Sequence, residues 1–208
     1  MILGVTLARG GSKGIHKKNI ALCAGKYLIE WTIEQALASR LIDKYIVSTD
    51  DEDIEAIATA KGAEVIKRPV SLVTDEANRW DVLKDIIKKY PEAKTIVLLQ
   101  ATSPVRKDGR IDECIKSVGY AESLATGFYL QDIGYPQNKG ENRQLMPKTF
   151  FDDGNIYIWK RELIEKYHKQ EAGISFICFE TSKWENVDIN TVEDLSIANK
   201  ILSSGVHI

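Results

Sequence analysis

The residues best suited to chemistry follow the first apolar run of the chain. Residues 8–19 read Ala-Arg-Gly-Gly-Ser-Lys-Gly-Ile-His-Lys-Lys-Asn, and no Asp or Glu occurs before Glu30. Closely spaced glycines allow the backbone to turn tightly and to point its N–H groups at an anion. Lysine and arginine side chains add positive charge that can balance several phosphate groups. The segment therefore predicts a phosphate-holding loop, whose basic residues are Arg9, Lys13, Lys17 and Lys18.

The glycine spacing distinguishes this loop from two better known phosphate loops. The pattern Gly-x-x-x-x-Gly-Lys-Ser/Thr is absent from it, and so is the dinucleotide pattern Gly-x-Gly-x-x-Gly. A solvated basic loop without a ligand is the alternative interpretation. We favour anion binding because the loop directly follows a strand-like apolar run and contains no acidic residue.

The elements that must position this loop alternate between strand-like and helical patterns. Strands are predicted at 2–8, 45–48, 64–67, 95–99, 156–158 and 174–179, and helices at 27–39, 54–61, 81–90, 108–119, 161–169 and 192–202. Repeated strand–helix units with continuously apolar strands predict an α/β fold with a mostly parallel sheet and helices on both faces. Ligands of such sheets bind beyond the carboxyl ends of the strands, so the loop should line that edge.

The composition narrows the class of protein. The chain has 208 residues and a net charge of −2, which suits one domain and provides no overall positive field for a nucleic acid. Its three cysteines lie far apart and form no CxxC pair, which favours reduced thiols. The opening apolar run ends at Ala8, too short for a secretion signal or a membrane span. We expect a cytoplasmic protein that binds neither nucleic acid nor membrane.

Six short motifs, in the same order along the chain, resemble the acylneuraminate cytidylyltransferase family. They are residues 8–14 with 18–19, 47–51, 62–64 with 68–69, 98–106, 154 with 156–158, and 188–191 with 193–195. The resemblance covers nearly the whole chain. It implies one cytidylyltransferase domain over residues 1–208, with a Rossmann-like nucleotidyltransferase sheet of the GT-A-like kind. It also implies a reaction in which CTP and a 2-keto sugar acid, sialic or a related nonulosonic acid, give CMP-sugar and pyrophosphate with Mg²⁺.

The resemblance also implies roles for individual residues. Nucleotide binding falls to Arg9, Gly10, Gly11, Ser12, Lys13, Lys18, Asn19 and Arg68, with Arg68 on the stretch that resembles the cytosine pocket. Arg9, Lys13, Lys18 and Asp188 are the implied catalytic residues. Gln100 resembles the residue that contacts the sugar acid. Positive charge of this kind agrees with the chemistry, because negative charge builds on phosphate oxygens as pyrophosphate leaves.

The implied metal site departs from the family pattern at one position. Mg²⁺ takes one or two carboxylates together with phosphate oxygens, and Asp188 is the candidate ligand. The family has a second Asp two residues later, where this chain has Asn190, whose neutral carbonyl could still bind the ion. The alternative is that both residues cap the last helix, although Thr191 with Asp194 could be the cap instead.

Three further features bear on the substrate and on assembly. Asp153-Gly154-Asn155 replaces the Asn-Gly-Ala of many sialic acid enzymes in a loop expected to face the sugar, so Asp153 and Asn155 are candidate sugar contacts. Asn78-Arg79 stands where the family often has a small hydroxyl residue. The turn-rich stretch at 129–149 is a candidate dimerisation arm, since the family is commonly dimeric.

Other functions stay open on the sequence alone. One is a related nucleotidyltransferase that uses another nucleoside triphosphate or a sugar phosphate. Another is a non-catalytic nucleotide-binding protein, which Asn190 makes conceivable. Asp50 and Asp51 could contact the nucleotide or simply begin a helix, and the residues themselves favour neither.

Overall fold

A computed structural model describes residues 1–12, 14–73, 78–131, 147–167 and 173–204. The strands are β1 (Ile2–Leu7), β2 (Leu22–Cys23), β3 (Lys26–Tyr27), β4 (Lys44–Thr49), β5 (Glu64–Lys67), β6 (Thr95–Leu99), β7 (Ser123–Gln131), β8 (Lys148–Lys160) and β9 (Phe176–Glu180). The α-helices are α1 (Leu28–Ala38), α2 (Glu52–Ala60), α3 (Arg79–Lys89), α4 (Arg110–Val118), α5 (Arg161–Lys166) and α6 (Val192–Ser203).

Seven strands form one twisted layer in the order β5-β4-β1-β6-β8-β7-β9. The half made of β5, β4, β1 and β6 is parallel throughout. β8 is antiparallel to both of its neighbours, β6 and β7, and β9 is parallel to β7. The predicted mostly parallel sheet is therefore confirmed.

Apolar side chains of the sheet face helices on both sides. In β6, Val97 and Leu99 pack in a core with α1, α2 and α4. Ile96 and Leu98 point the other way and pack in a second core with α3 and α5. Alternation of this kind along a strand buried on both faces explains why the run 95–99 is continuously apolar. The predicted helices on both faces are confirmed.

Local sequence sets several of the helix ends. Asp51 caps α2 by accepting from the N–H groups of Asp53 and Ile54 at 2.9 and 3.0 Å. Thr191 caps α6 in a capping box with Asp194. The prediction of a cap at Thr191 is confirmed, so the carboxylate of Asp188 and the amide of Asn190 do not serve as this cap. In the described part of the chain, no helix has both the length and the hydropathy needed to cross a membrane.

The antiparallel half differs from the prediction. β7 was not predicted, and the strand predicted at 156–158 is the buried end of the much longer β8. The Asp153-Gly154-Asn155 segment, predicted as a loop, lies inside β8 opposite an irregularity between Ala125 and Gly127 of β7. The stretch predicted as an arm begins in β7 and ends in β8, while its residues 132–146 lie outside the described residues.

Candidate active site

The basic loop begins at the carboxyl end of β1, next to the end of β4. Because the two strands are parallel, the N–H of Ala8 reaches the carbonyl of Ser48 at 3.0 Å. The N–H of Gly10 donates to Oδ1 of Asp50 at 3.2 Å, and Nδ2 of Asn19 donates to the carbonyl of Arg9 at 2.9 Å. Asp50 and Asn19 therefore both hold the first residues of the loop in place.

The remaining predicted loop residues lie at different depths. Gly11 is exposed and Ser12 is partly buried. Asn19 is buried, and its amide stabilises the loop from beneath. Lys13 lies outside the described residues, so its assigned role stays a prediction.

The far end of the loop lies against the segment that carries Asp188. Nζ of Lys18 donates to the carbonyl of Ile189 at 2.6 Å and to Oδ1 of Asn190 at 3.0 Å. A Cβ on Gly14 would come within 2.6 Å of the Asn190 carbonyl, so only glycine allows this close approach. Residues that are about 170 positions apart in sequence thus form one site, as the sequence predicted.

The two carboxylate oxygens of Asp188 differ, because one accepts a hydrogen bond and the other does not. Its Oδ2 accepts from Nδ2 of Asn190 at 2.8 Å. Its Oδ1 is buried and has no hydrogen-bond partner among the described residues. A buried carboxylate oxygen without a partner is costly unless a cation or a donor binds it. The geometry therefore fits a bound divalent ion at this oxygen.

Two adjoining cavities open at this edge of the sheet. The first, the arginine cavity, has a volume of about 400 Å³ and is lined by Leu7, Arg9, Arg68, Arg79, Val82, Leu98, Leu99 and Gln100. The second, the aspartate cavity, has a volume of about 550 Å³ and is lined by Lys18, Arg79, Gln100, Thr102, Phe128, Asp152, Asp153, Gly154, Tyr157, Asn186, Asp188 and Asn190. Arg79 and Gln100 line both.

Arg68 forms the floor of the arginine cavity. Its Nη2 donates to the carbonyl of Ser48 at 3.0 Å, while its Nε is buried without a partner among the described residues. Burial lowers the pKa of Arg68; nearby Asp50 opposes this and Arg9 adds to it. Arg68 remains a cation at any physiological pH, and its buried Nε–H is a donor that lacks an acceptor among the described residues.

Gln100 and Asp153 reach the aspartate cavity, and Asn155 does not. Nε2 of Gln100 donates to the carbonyl of Gly154. The φ of Gly154 is 72°, a left-handed backbone conformation that favours glycine. Asp153 accepts from Thr126 at 2.6 Å and Thr181 at 2.9 Å, and burial raises its pKa. The amide of Asn155 is 1% exposed and donates to the carbonyls of Val105 and Glu185, away from both cavities. In this structure Asn155 supports the site from beneath.

Sequence reasoning gave no role to two arginines, Arg79, which lines both cavities, and Arg106, which lies buried behind Gln100. Arg106 is buried, which lowers its pKa to about 10, and it donates to the carbonyls of Gln100 and Asn155 at 2.8 and 3.2 Å. A charged residue at the end of the motif 98–106 was the available signal for Arg106. Arg79 was noted only as a departure from the family, although a cation in the first turn of a helix is itself unusual.

The fold and the two cavities define an α/β protein with adjoining polar cavities at the carboxyl edge of its sheet. Residues 3–135 match the model of the cytidylyltransferase family, and the chain belongs to that family. The chain is 32% identical over 206 residues to the N-acylneuraminate cytidylyltransferase of Streptococcus agalactiae serotype III (strain NEM316), with 90% of this chain and 50% of the relative covered. It is 31% identical over 185 residues to the post-translational flagellin modification protein B of Campylobacter coli, with 78% and 79% covered.

The chain spans about half the length of the first of these relatives. Among solved structures, it resembles CMP:2-keto-3-deoxy-manno-octonic acid synthetase complexed with CTP, with a TM-score of 0.80, 18% identity and 99% of each chain covered. This likeness confirms the predicted nucleotidyltransferase fold.

Proposed function

We propose that this chain transfers CMP from CTP to the anomeric hydroxyl of a 2-keto sugar acid, sialic or a related nonulosonic acid, and releases pyrophosphate. One observation carries the proposal: the basic loop and Asp188 meet at one cavity, where Lys18 binds the Ile189 carbonyl at 2.6 Å. Family membership and the names of the relatives support the choice of CTP and of an acidic sugar.

The chemistry follows from the placement of charge. The oxygen of the anomeric hydroxyl attacks the α-phosphorus of CTP and forms a new P–O bond. The bond from that phosphorus to the bridging oxygen breaks, pyrophosphate leaves with the electron pair, and the hydroxyl proton is released. Arg9, Lys13 and Lys18 would balance the charge that develops on the phosphates, and Gln100 would orient the sugar.

We propose Mg²⁺ as the cofactor, held by Asp188. The unpartnered Oδ1 of Asp188 supports this choice, since Mg²⁺ prefers carboxylate and phosphate oxygens. Among the described residues no group of three or more His, Cys, Asp or Glu side chains could hold a metal, so further ligands would come from the phosphates and water. The bound ion would neutralise phosphate charge. Asn190 as a second ligand stays a prediction, because its Oδ1 accepts from Lys18.

The test is release of pyrophosphate from CTP, Mg²⁺ and a panel of sugar acids that includes N-acetylneuraminate and 2-keto-3-deoxy-manno-octonate. We expect pyrophosphate only when CTP, Mg²⁺ and sugar acid are all present, and competition within the panel identifies the preferred acid. Equal release with a neutral sugar, or none with any acid, contradicts the proposal. Release with UTP or ATP in place of CTP points to a different nucleotidyltransferase.

We also propose a homodimer in the cytoplasm. Large apolar side chains stay exposed where β7, β8 and β9 lie together, among them Leu130 at 49%, Phe151 at 45% and Phe176 at 39%. Grouped apolar surface of this kind often becomes an interface. A monomer mass in light scattering would reject the dimer, and fractionation of cells tests the location.

A further inference from the structure

Arg79 lies where the arginine cavity meets the aspartate cavity. It is exposed, and it is the first residue of α3. Its guanidinium carbon lies 5.3 Å from the centroid of the Tyr157 ring. A cation in the first turn of a helix faces the positive end of the helix dipole, which is unfavourable for the helix. Helix stability therefore does not account for an arginine at this position.

The surroundings of Arg79 are built on buried aromatic residues. Trp80 is fully buried, its Nε1 donates to the Tyr167 carbonyl at 2.7 Å, and its ring meets Trp159 edge-on at 5.2 Å. Tyr157 stacks on the same Trp159 at 5.3 Å. One pair of tryptophans thus fixes both the backbone of Arg79 and the ring beneath its guanidinium. A guanidinium carries five N–H donors in its own plane, so the contact with the Tyr157 ring leaves donors for a ligand.

The charge balance of the aspartate cavity requires such a group if an acid is to bind there. Three carboxylates line it, those of Asp152, Asp153 and Asp188, and they would repel a negatively charged sugar. Among the described residues of this cavity, the cations are Lys18 and Arg79. The ammonium of Lys18 already donates to Ile189 and Asn190.

We propose that Arg79 binds the carboxylate of the sugar acid and selects acidic 2-keto sugars against neutral ones. The planar guanidinium matches a carboxylate with two parallel hydrogen bonds, which a lysine cannot form. The inference rests on the proposed transfer of CMP to a sugar acid. Beyond that function, it identifies the residue that recognises the acid group and the side of the site on which that group lies.

The experiment compares Arg79→Gln and Arg79→Lys with the wild type in pyrophosphate release. The probes are N-acetylneuraminate and 2-keto-3-deoxy-manno-octonate, together with the methyl ester of whichever acid the wild type prefers. Arg79→Gln should raise KM for the free acid about 10- to 100-fold. KM for CTP should change by no more than about twofold, and Arg79→Lys should fall between the wild type and Arg79→Gln.

The ester separates recognition of the carboxylate from a general loss of activity. In the wild type, esterification should raise KM by about the same 10- to 100-fold, because it removes the charge that Arg79 binds. In Arg79→Gln the ester and the acid should behave alike, which is the coupling expected of two groups in contact. Lys88→Gln removes an exposed charge from the other end of α3 and should match the wild type.

Two results overturn the inference while the proposed function stands. One is a rise in KM for CTP with no change for the acid, which assigns Arg79 to the nucleotide. The other is an equal loss on acid and ester. Melting temperatures establish that Arg79→Gln is folded. If the wild type releases no pyrophosphate from CTP with any acid of the panel, the proposed function itself is rejected, and the inference is rejected with it.

Discussion

The pair Asp188 and Asn190 shows how a neutral amide can stand where the family resemblance led us to expect a second aspartate. The ammonium of Lys18 can only donate hydrogen bonds, and the carboxylate of Asp188 can only accept them. The amide of Asn190 lies between the two, with its oxygen 3.0 Å from Lys18 and its nitrogen 2.8 Å from Asp188. A carboxylate at position 190 would instead face that of Asp188. The amide thus links the phosphate-holding loop to the candidate metal ligand without repulsion.

The first prediction concerns the carboxylate that this amide positions. Asp188→Asn should lower kcat/KM for CTP by about 10²- to 10³-fold, because it removes the anionic ligand of Mg²⁺. The melting temperature without ligands should not fall, since Oδ1 has no partner to lose among the described residues. The measurements are pyrophosphate release over a Mg²⁺ titration and thermal unfolding.

Asp53→Asn is the matched control for this change. Asp53 is a carboxylate near the same loop whose side chain is 61% exposed and pairs with Lys17. We expect kcat/KM of the Asp53→Asn variant for CTP to stay within about twofold of the wild type, because an exposed ion pair contributes little free energy. Activity of Asp188→Asn close to that of Asp53→Asn would remove Asp188 from the mechanism.

At the scale of elements, a buried ion pair fixes the segment that carries Asp188. Glu185 is fully buried and accepts from Nε and Nη2 of Arg110 at 2.8 and 2.7 Å, at the start of α4. Its backbone carbonyl accepts from Asn155 of β8 at 3.2 Å. Three separate elements are thus joined behind the aspartate cavity.

The second prediction is that Glu185→Gln destabilises the protein by about 3–5 kcal/mol, because it removes the buried counter-charge of Arg110 and leaves that guanidinium only the exposed carboxylate of Glu113. Burial alone would raise the pKa of Glu185, but hydrogen bonds from Arg110 and Lys107 lower it below the ordinary value. A lowered pKa stabilises the fold at pH values above the ordinary carboxyl pKa and loses that effect as the pH falls through the lowered value. The stability deficit of the variant should therefore shrink in acid.

Glu113→Gln tests whether the effect is specific to the buried pair. Glu113 contacts the same arginine, but its side chain is 41% exposed. Its replacement should cost at most about 1 kcal/mol. Urea unfolding of both variants at several pH values measures the difference, and equal losses at neutral pH would contradict the special role of Glu185.

The parallel half of the sheet could be predicted from sequence, and the antiparallel half only in part: segments of β8 and β9 were predicted, and β7 was not. A continuously apolar run such as 95–99, and caps such as Asp51 and Thr191, are local signals. By contrast, Asp153 lies in the middle of a strand because Thr126 and Thr181, distant in sequence, satisfy its carboxylate. Polar residues around a glycine predict a turn when those partners are unknown. The position of Arg79 depends in the same way on tertiary packing.

At the scale of the whole molecule, the site draws on residues from nearly the full length of the chain. The arginine cavity combines the ends of β1 and β6 with α3, and the aspartate cavity adds β8 and the segment before α6. A third apolar cluster, which includes Leu28, Val105, Ile189 and Ala198, packs α6 beneath the segment that Lys18 contacts. Unfolding of any of these elements would break the site, so ligand binding should stabilise the entire fold.

The last prediction uses the stabilisation of the fold by a bound ligand to measure nucleotide selectivity. CTP at about 100 times its Kd should stabilise the fold by about 2.7 kcal/mol, which for 208 residues corresponds to a rise in Tm of roughly 5–10 °C.

We expect a smaller shift with UTP, because cytosine offers an acceptor at ring position N3 where uracil carries a hydrogen. The buried Nε–H of Arg68 can only donate, so it suits cytosine and would oppose uracil. Thermal unfolding with CTP, UTP, GTP and ATP at equal concentrations, each with Mg²⁺, measures the order. A shift with UTP that equals the shift with CTP would show that the arginine cavity does not recognise the base in this way.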